Sequence, residues 1–301
     1  MIGVAALIWV IGAVIIAFGA RDFSYAPPLI VFGLLVGGFV GLAHEIERGV
    51  IDSIDGLERA TRQSVTSAAP PITLRTLRGL APDMRNPFGC VVHHPATDFA
   101  AALRHSLTTL DDARVVAILG STPHDGATAT AASVAALAVQ QGKNVLLVDC
   151  DLNRRGVTRM LSGEPEAGVL EAAINPDIWQ GLIDLEPETG LHVMPAARLS
   201  NPWRRLFDEP KLSELVRKWR DHYDLIVLDC PPACRSAEGA MLTRLADHCM
   251  LVVSWDDTPS ADVRQTMRRL RYNAPDNVSL HLNRAPAELL DQVLTDLRAQ
   301  A

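Results

Sequence analysis

From Arg114 onward, short apolar runs alternate with helical patterns, and this alternation constrains the fold more than any other feature. The runs lie at 115–119, 144–148, 191–194, 225–228, 250–253 and 278–282. A run that is apolar on every residue is buried on both faces, and helices between such runs supply the cover. The expected fold is therefore α/β, a mostly parallel doubly wound sheet. Ligands bind at the carboxyl ends of the strands in such sheets. Asp149, Asp151, Asp229 and Asn283 follow strand ends and fall on that edge. The plainer reading of the three aspartates is turn residues at strand ends.

The loop after the first run, residues 121–128, reads S-T-P-H-D-G-A-T. A phosphate-binding loop reads G-x-x-x-x-G-K-[ST]. Gly126 lets the backbone approach a phosphate, the following helix offers its N-terminal N–H groups, and the Thr128 hydroxyl suits Mg²⁺. Ala127 stands where the lysine belongs, and His124 where a second glycine is common. An alanine-rich helix is expected from Gly126 to about Gln141, stopped by Gly142.

The order of motifs is more specific than the loop alone. It runs strand, loop, helix, then Asp149-Cys-Asp151, then 223–232 as Y-D-L-I-V-L-D-C-P-P. Residues 168–170 read G-V-L, Asn201 and Pro202 follow M-P-A, and 282–284 read L-N-R. This set, spread over 98–283, resembles the bacterial tyrosine kinases of polysaccharide synthesis, within the ParA/MinD group of P-loop NTPases. The resemblance implies ATP and Mg²⁺ as cofactors. It implies a nucleotide site of Ser121, His124, Asp125, Gly126, Ala127, Thr128 and Asn283, the last facing adenine. It implies metal contacts from Thr128, Asp149 and Asp229, with Asp149 and Asp151 as the catalytic acids. Arg154 and Arg155 lie near the second motif, either offsetting the missing lysine or facing solvent or a partner.

Three further departures accompany Ala127. The family's subunit-joining E-x-x-R-x-x-R corresponds to Asp98, Ala101 and Arg104, without the middle arginine. The tail, 291–301, carries no tyrosine for autophosphorylation; the chain's tyrosines are Tyr25, Tyr223 and Tyr272. The family's membrane helices enclose a large periplasmic domain, whereas here two uncharged stretches, 2–20 and 26–43, are separated by 21–25 alone.

Each of those stretches approaches the roughly 20 residues that span a bilayer core. A two-helix transmembrane hairpin is expected over 1–44. Gly33, Gly37 and Gly41 share one helix face, suited to close packing within the hairpin or between copies. Arg48, Arg59 and Arg62 follow the second stretch, against Arg21 in the turn, which puts both termini in the cytoplasm. An amphipathic juxtamembrane helix is expected over 45–66, a proline-rich linker over 67–97 and the P-loop domain over 98–301.

Composition narrows the function classes. Hydrophobic residues make up 48%, in keeping with a membrane segment. The net charge of −7 and the absence of a basic stripe argue against nucleic acid as a partner. The five cysteines form no C-x-x-C pair, and Cys150 and Cys230 read as small buried residues in a reducing cytosol. The expected protein is a two-pass bacterial inner-membrane regulator of exopolysaccharide or capsule synthesis and export, with weak or absent tyrosine kinase activity. Its expected partners are that membrane machinery and further copies of itself. The alternatives are an active ParA/MinD-type ATPase that positions a membrane partner, and a nucleotide-free scaffold.

Overall fold

The six apolar runs become strands of one sheet. Among the described residues this sheet has eight strands, in the order β1-β8-β7-β2-β6-β3-β5-β4. They are β1 (Val65–Ala69), β2 (Val115–Gly120), β3 (Val145–Asp149), β4 (Asp184–Leu185), β5 (His192–Met194), β6 (Leu225–Asp229), β7 (His248–Ser254) and β8 (Val278–Asn283). Every pairing is parallel except β4 with β5. The computed structural model describes residues 49–198, 206, 210–234, 236–274, 277–290 and 293. The hairpin expected over 1–44 lies outside them. Among the described residues no helix is long and apolar enough to cross a membrane.

Among the described residues the α-helices are α1 (Ile54–Thr61), α2 (Leu74–Leu77), α3 (Pro87–His93), α4 (Asp98–Thr108), α5 (Ala127–Gln140), α6 (Gly156–Leu161), α7 (Val169–Ile174), α8 (Leu212–Arg220), α9 (Glu238–Leu242) and α10 (Ser260–Asn273). They cover both faces. Val115, Ala117 and Leu119 of β2 join the core that contains α1, α7, α8 and α10 residues. Val116 and Ile118 join the core beneath α3, α4 and α5. Successive side chains of a strand point to opposite faces, so a run apolar at every position is what two cores require. The alanines of α5 let that helix lie close to the sheet, and Ala131, Ala132, Ala135 and Ala136 are wholly buried. Gly142, at φ 85°, ends the turn after it in a conformation that favours glycine.

The linker expected over 67–97 is instead folded. β1 pairs with β8, with Ala69 opposite Asn283, and extends the sheet by one strand. Two of its prolines start helical turns: Pro87 opens α3 behind the Asn86 cap, whose side chain accepts from Gly89 N–H, and Pro82 opens a 3₁₀ turn. Proline at the first helical position lacks only an N–H that would be unpaired there, so it marks a start. Phe88, Cys90 and Val91 are buried against α5.

The juxtamembrane helix is likewise shorter than expected and part of this fold. Only 54–61 of the expected 45–66 is helical among the described residues, capped by Ser53. Its apolar stripe, Ile54 and Leu57, enters the core beside α10. The folded unit therefore begins at Val50, well before the expected boundary at 98.

Candidate functional site

The loop between β2 and α5 is braced from within. Asp125 is fully buried, and its Oδ2 accepts from Thr122 N–H at 2.8 Å. Its Oδ1 accepts from the Thr122 hydroxyl at 2.5 Å and from the Thr258 hydroxyl at 2.7 Å. Burial raises its pKa, and these hydrogen bonds pull against that rise. Asp125, expected among the nucleotide-binding residues, thus ties the loop to the segment after β7. Asn283, expected to face adenine, donates its Nδ2 hydrogen to the Asp125 carbonyl at 2.8 Å and accepts from Arg284 N–H at 3.0 Å. Its carboxamide is engaged in holding the loop.

Gly126 takes φ 89°, and a Cβ there would stand 2.3 Å from Asn283 Nδ2. Both backbone conformation and space demand glycine at this point. The N-terminus of the 14-residue α5 follows at once. A cleft of about 370 Å³ opens here, lined by Gly126, Ala127, Thr128 and Asp151, with Arg154, Arg159 and Arg284 at its walls. His124 is an exposed part of the same lining. Ser121 is buried, and its hydroxyl has no partner among the described residues.

The three aspartates differ sharply. Asp149 and Asp229 stand opposite each other in register on β3 and β6. Asp149 Oδ2 accepts from Thr158 N–H at 2.9 Å and from the Thr158 hydroxyl at 2.8 Å, while Oδ1 accepts from Asp151 N–H at 3.2 Å. The Thr158 hydroxyl in turn accepts from Ala196 N–H at 2.8 Å. Burial raises the Asp149 pKa to about 6 against these bonds, aided by the charge of Asp151. Asp151 Oδ1 accepts from the N–H groups of Asn153 and Arg154, forming a turn, and the residue lines the cleft.

Asp229 is buried, and among the described residues neither of its oxygens has a hydrogen-bond partner of normal geometry. Burial first, then the charges of Asp149 and Asp151, push its pKa well up. The nearby Thr128 hydroxyl and Arg154 draw it down. A buried carboxylate without partners is costly, and native proteins keep such groups mostly where a ligand or ion satisfies them. Among the described residues no three His, Cys, Asp or Glu side chains converge as a metal-binding group. Asp229 with the Thr128 hydroxyl fits the sparse protein contribution typical of Mg²⁺, which takes its other ligands from phosphate and water. All five cysteines are buried and none is in a disulfide, Cys150 and Cys230 among them.

Two contributors were missed by motif reading. Thr158 satisfies Asp149 from nine residues away. Gly156 lets its segment approach the loop, since a Cβ there would meet Thr128 Cγ2 at 2.8 Å. The two neighbouring arginines diverge. Arg155, expected near the site or in solvent, is buried, with Nε donating to the Ala196 carbonyl and Nη1 paired with Glu164 at 3.0 Å. Arg154 leans over the loop, with Nη1 donating to the Pro123 carbonyl at 2.9 Å.

The comparisons agree with this geometry. A family described as "AAA domain" matches residues 113–271. The succinoglycan biosynthesis transport protein ExoP of Rhizobium meliloti is 30% identical over 186 residues, covering 59% of this chain and 24% of that protein. The tyrosine-protein kinase etk of Escherichia coli K12 is 26% identical over 185 residues, covering 60% and 26%. The chain thus matches about a quarter of the length of these two relatives. Among solved structures, the kinase domain of Escherichia coli tyrosine kinase ETK superposes with a TM-score of 0.67 at 25% identity, covering 79% of this chain and 97% of that one. The BceF tyrosine kinase domain superposes at 0.68, with 21% identity and coverage of 79% and 100%, which speaks for the fold. A braced phosphate-type loop, an unpartnered strand-end carboxylate and these relatives agree: this chain belongs to the AAA domain family, and its relatives there are bacterial tyrosine kinases.

Proposed function

We propose that this chain is a membrane-anchored, kinase-like regulator of exopolysaccharide or capsule synthesis and export, with weak or absent tyrosine kinase activity. It acts by docking on the synthesis and export machinery and by responding to Mg-ATP. The hairpin over 1–44 anchors it in the inner membrane by two passes, with the folded unit in the cytoplasm. Homo-oligomers are part of the reading, although the sequence lacks the middle arginine of the ring motif.

The observation that carries this reading is the contrast between what the loop and the β6 end keep and what the loop lacks. Gly126, the α5 N-terminus, Thr128 and the unpartnered Asp229 keep the means to hold phosphate and Mg²⁺. Ala127 removes the ammonium that would stabilise charge on a transferring phosphoryl group. Loss of one such group costs on the order of 10²–10³ in rate. When bound, Mg-ATP would supply the phosphoryl group; Thr128 and Asp229 would face the metal, and the α5 N-terminus would face the phosphates.

The test is to incubate the full chain with Mg-ATP and measure nucleotide affinity and phosphotyrosine. Binding with little phosphotyrosine is expected, and robust autophosphorylation would sink the reading. The arginines at the cleft wall favour a second reading, an active ATPase of the ParA/MinD kind that positions a membrane partner. It requires ATP-dependent dimerisation that is lost in Asp151→Ala.

A further inference from the structure

We propose that Arg154 replaces the missing loop lysine as the cation that meets the terminal phosphates of a bound nucleotide. The proposal rests on the nucleotide-binding reading above and adds a residue to it.

The case begins with what points Arg154 at the cleft. Asp151 closes a turn on the Arg154 N–H at 3.0 Å, which fixes the backbone at that residue. The next residue, Arg155, sits at φ 53°, and its guanidinium is drawn the other way, into Ala196 and Glu164. Gly156 then allows the whole segment to lie against Thr128. The chain is therefore shaped so that one arginine turns inward and its neighbour covers the loop.

The three cations at the cleft are not equivalent. Arg284 reaches Ser254 and Asp257 at 3.3 and 3.4 Å. Arg159 donates to the carbonyls of Arg154 and Arg155. Arg154 bonds the phosphate-type loop itself, at Pro123, and no carboxylate among the described residues pairs with it. One of its five N–H donors meets that carbonyl, which leaves the rest of the fork for oxygen ligands. An arginine fork matches phosphate geometry and cannot lose its charge at physiological pH. Arg154 thus bonds the same loop in which Ala127 stands where the lysine belongs, and the two residues line one cleft.

The experiment compares the full chain in detergent with Arg154→Ala, Arg154→Lys and Arg154→Ala/Ala127→Lys. Calorimetry reads the affinities for Mg-ATP, Mg-ADP and AMP. Loss of a charged hydrogen-bond donor should weaken Mg-ATP by about tenfold or more in Arg154→Ala and leave AMP nearly unchanged. Arg154→Lys should recover part of the loss, and Ala127→Lys should recover it in the double variant. Circular dichroism and the thermal midpoint should not move, because Arg154 is exposed. Unchanged Mg-ATP affinity in Arg154→Ala, or an equal loss for AMP, overturns the proposal while nucleotide binding stands. If the unmutated chain binds none of the three, the nucleotide reading itself falls, and this proposal falls with it.

Discussion

Asp149 and Asp229 are chemically identical, lie side by side in register, and end neighbouring strands, yet their surroundings are opposite. Asp149 accepts three hydrogen bonds, two from Thr158 and one from Asp151. Asp229 accepts none of normal geometry among the described residues. The first carboxylate holds the chain after β3 in place. The second is left with unmet demand at the end of β6, next to Cys230 of the cleft lining. Equal burial and equal motif standing therefore do not imply equal roles, because what distinguishes a brace from a ligand is which lone pairs the protein has already filled.

Removing each acid tests that distinction. Asp149→Ala strands the Thr158 N–H and hydroxyl in the interior, and should destabilise by about 3 kcal/mol or more in urea unfolding. If Asp229→Ala costs as much as Asp149→Ala, the two carboxylates are both braces and the contrast fails.

Asp229→Asn has a smaller and opposite expected effect. It keeps the side-chain volume but cannot ionise, so it should raise stability by about 1 kcal/mol at pH values above the folded-state pKa of Asp229. The same change should weaken Mg-ATP binding, giving stability and affinity of opposite sign. A variant that gains neither stability nor loses affinity would place Asp229 outside the ligand's reach.

The smallest effect is in pH dependence. The folded-state pKa of Asp229 lies above 3.8, so below that value the wild type and Asp229→Asn should be equally stable. As pH rises through the folded-state pKa, the wild type loses the stability tied to the protonated form, and the advantage of Asp229→Asn should grow. Asp149, raised to about 6, works in the same sense. The Asp149 charge adds to the rise at Asp229, so Asp149→Asn should lower the Asp229 midpoint, read by carbon-13 NMR titration. The buried His281 works in the opposite sense, its pKa held down at about 4, and costs stability as pH falls from 6.5 toward that value. Differences between variants cancel its contribution.

The central strands were legible because each is a continuous apolar run, and the start of α5 because Gly126 precedes it. The edge was harder. β1 reads V-T-S-A-A, without a strong apolar run, and two prolines follow it. Its place in the sheet depends on β8, more than 200 residues away. At α3 the expectation of a linker over 67–97 passes over the local pair Asn86-Pro87, a cap and a first-turn proline. At the site, motif order located the loop and the acids but not their partners. Asp125 and Asn283 are expected at the nucleotide, and the structure adds that the Asn283 amide meets the Asp125 carbonyl, a contact between distant segments that leaves no mark in local sequence.

Sequence by itself determined the parallel sheet, the loop with Ala127 in the lysine position, and the edge where Asp149, Asp151 and Asp229 end strands. These follow from local pattern: apolar continuity, a glycine before a helix, and acids after a strand. Only the tertiary structure decided that 65–93 belongs to the fold, that Asp149 is filled and Asp229 is not, and that Arg154 covers the loop while Arg155 turns away. Those outcomes depend on which distant donors and acceptors meet, and hydrogen bonding between remote segments is fixed by packing rather than by neighbouring residues.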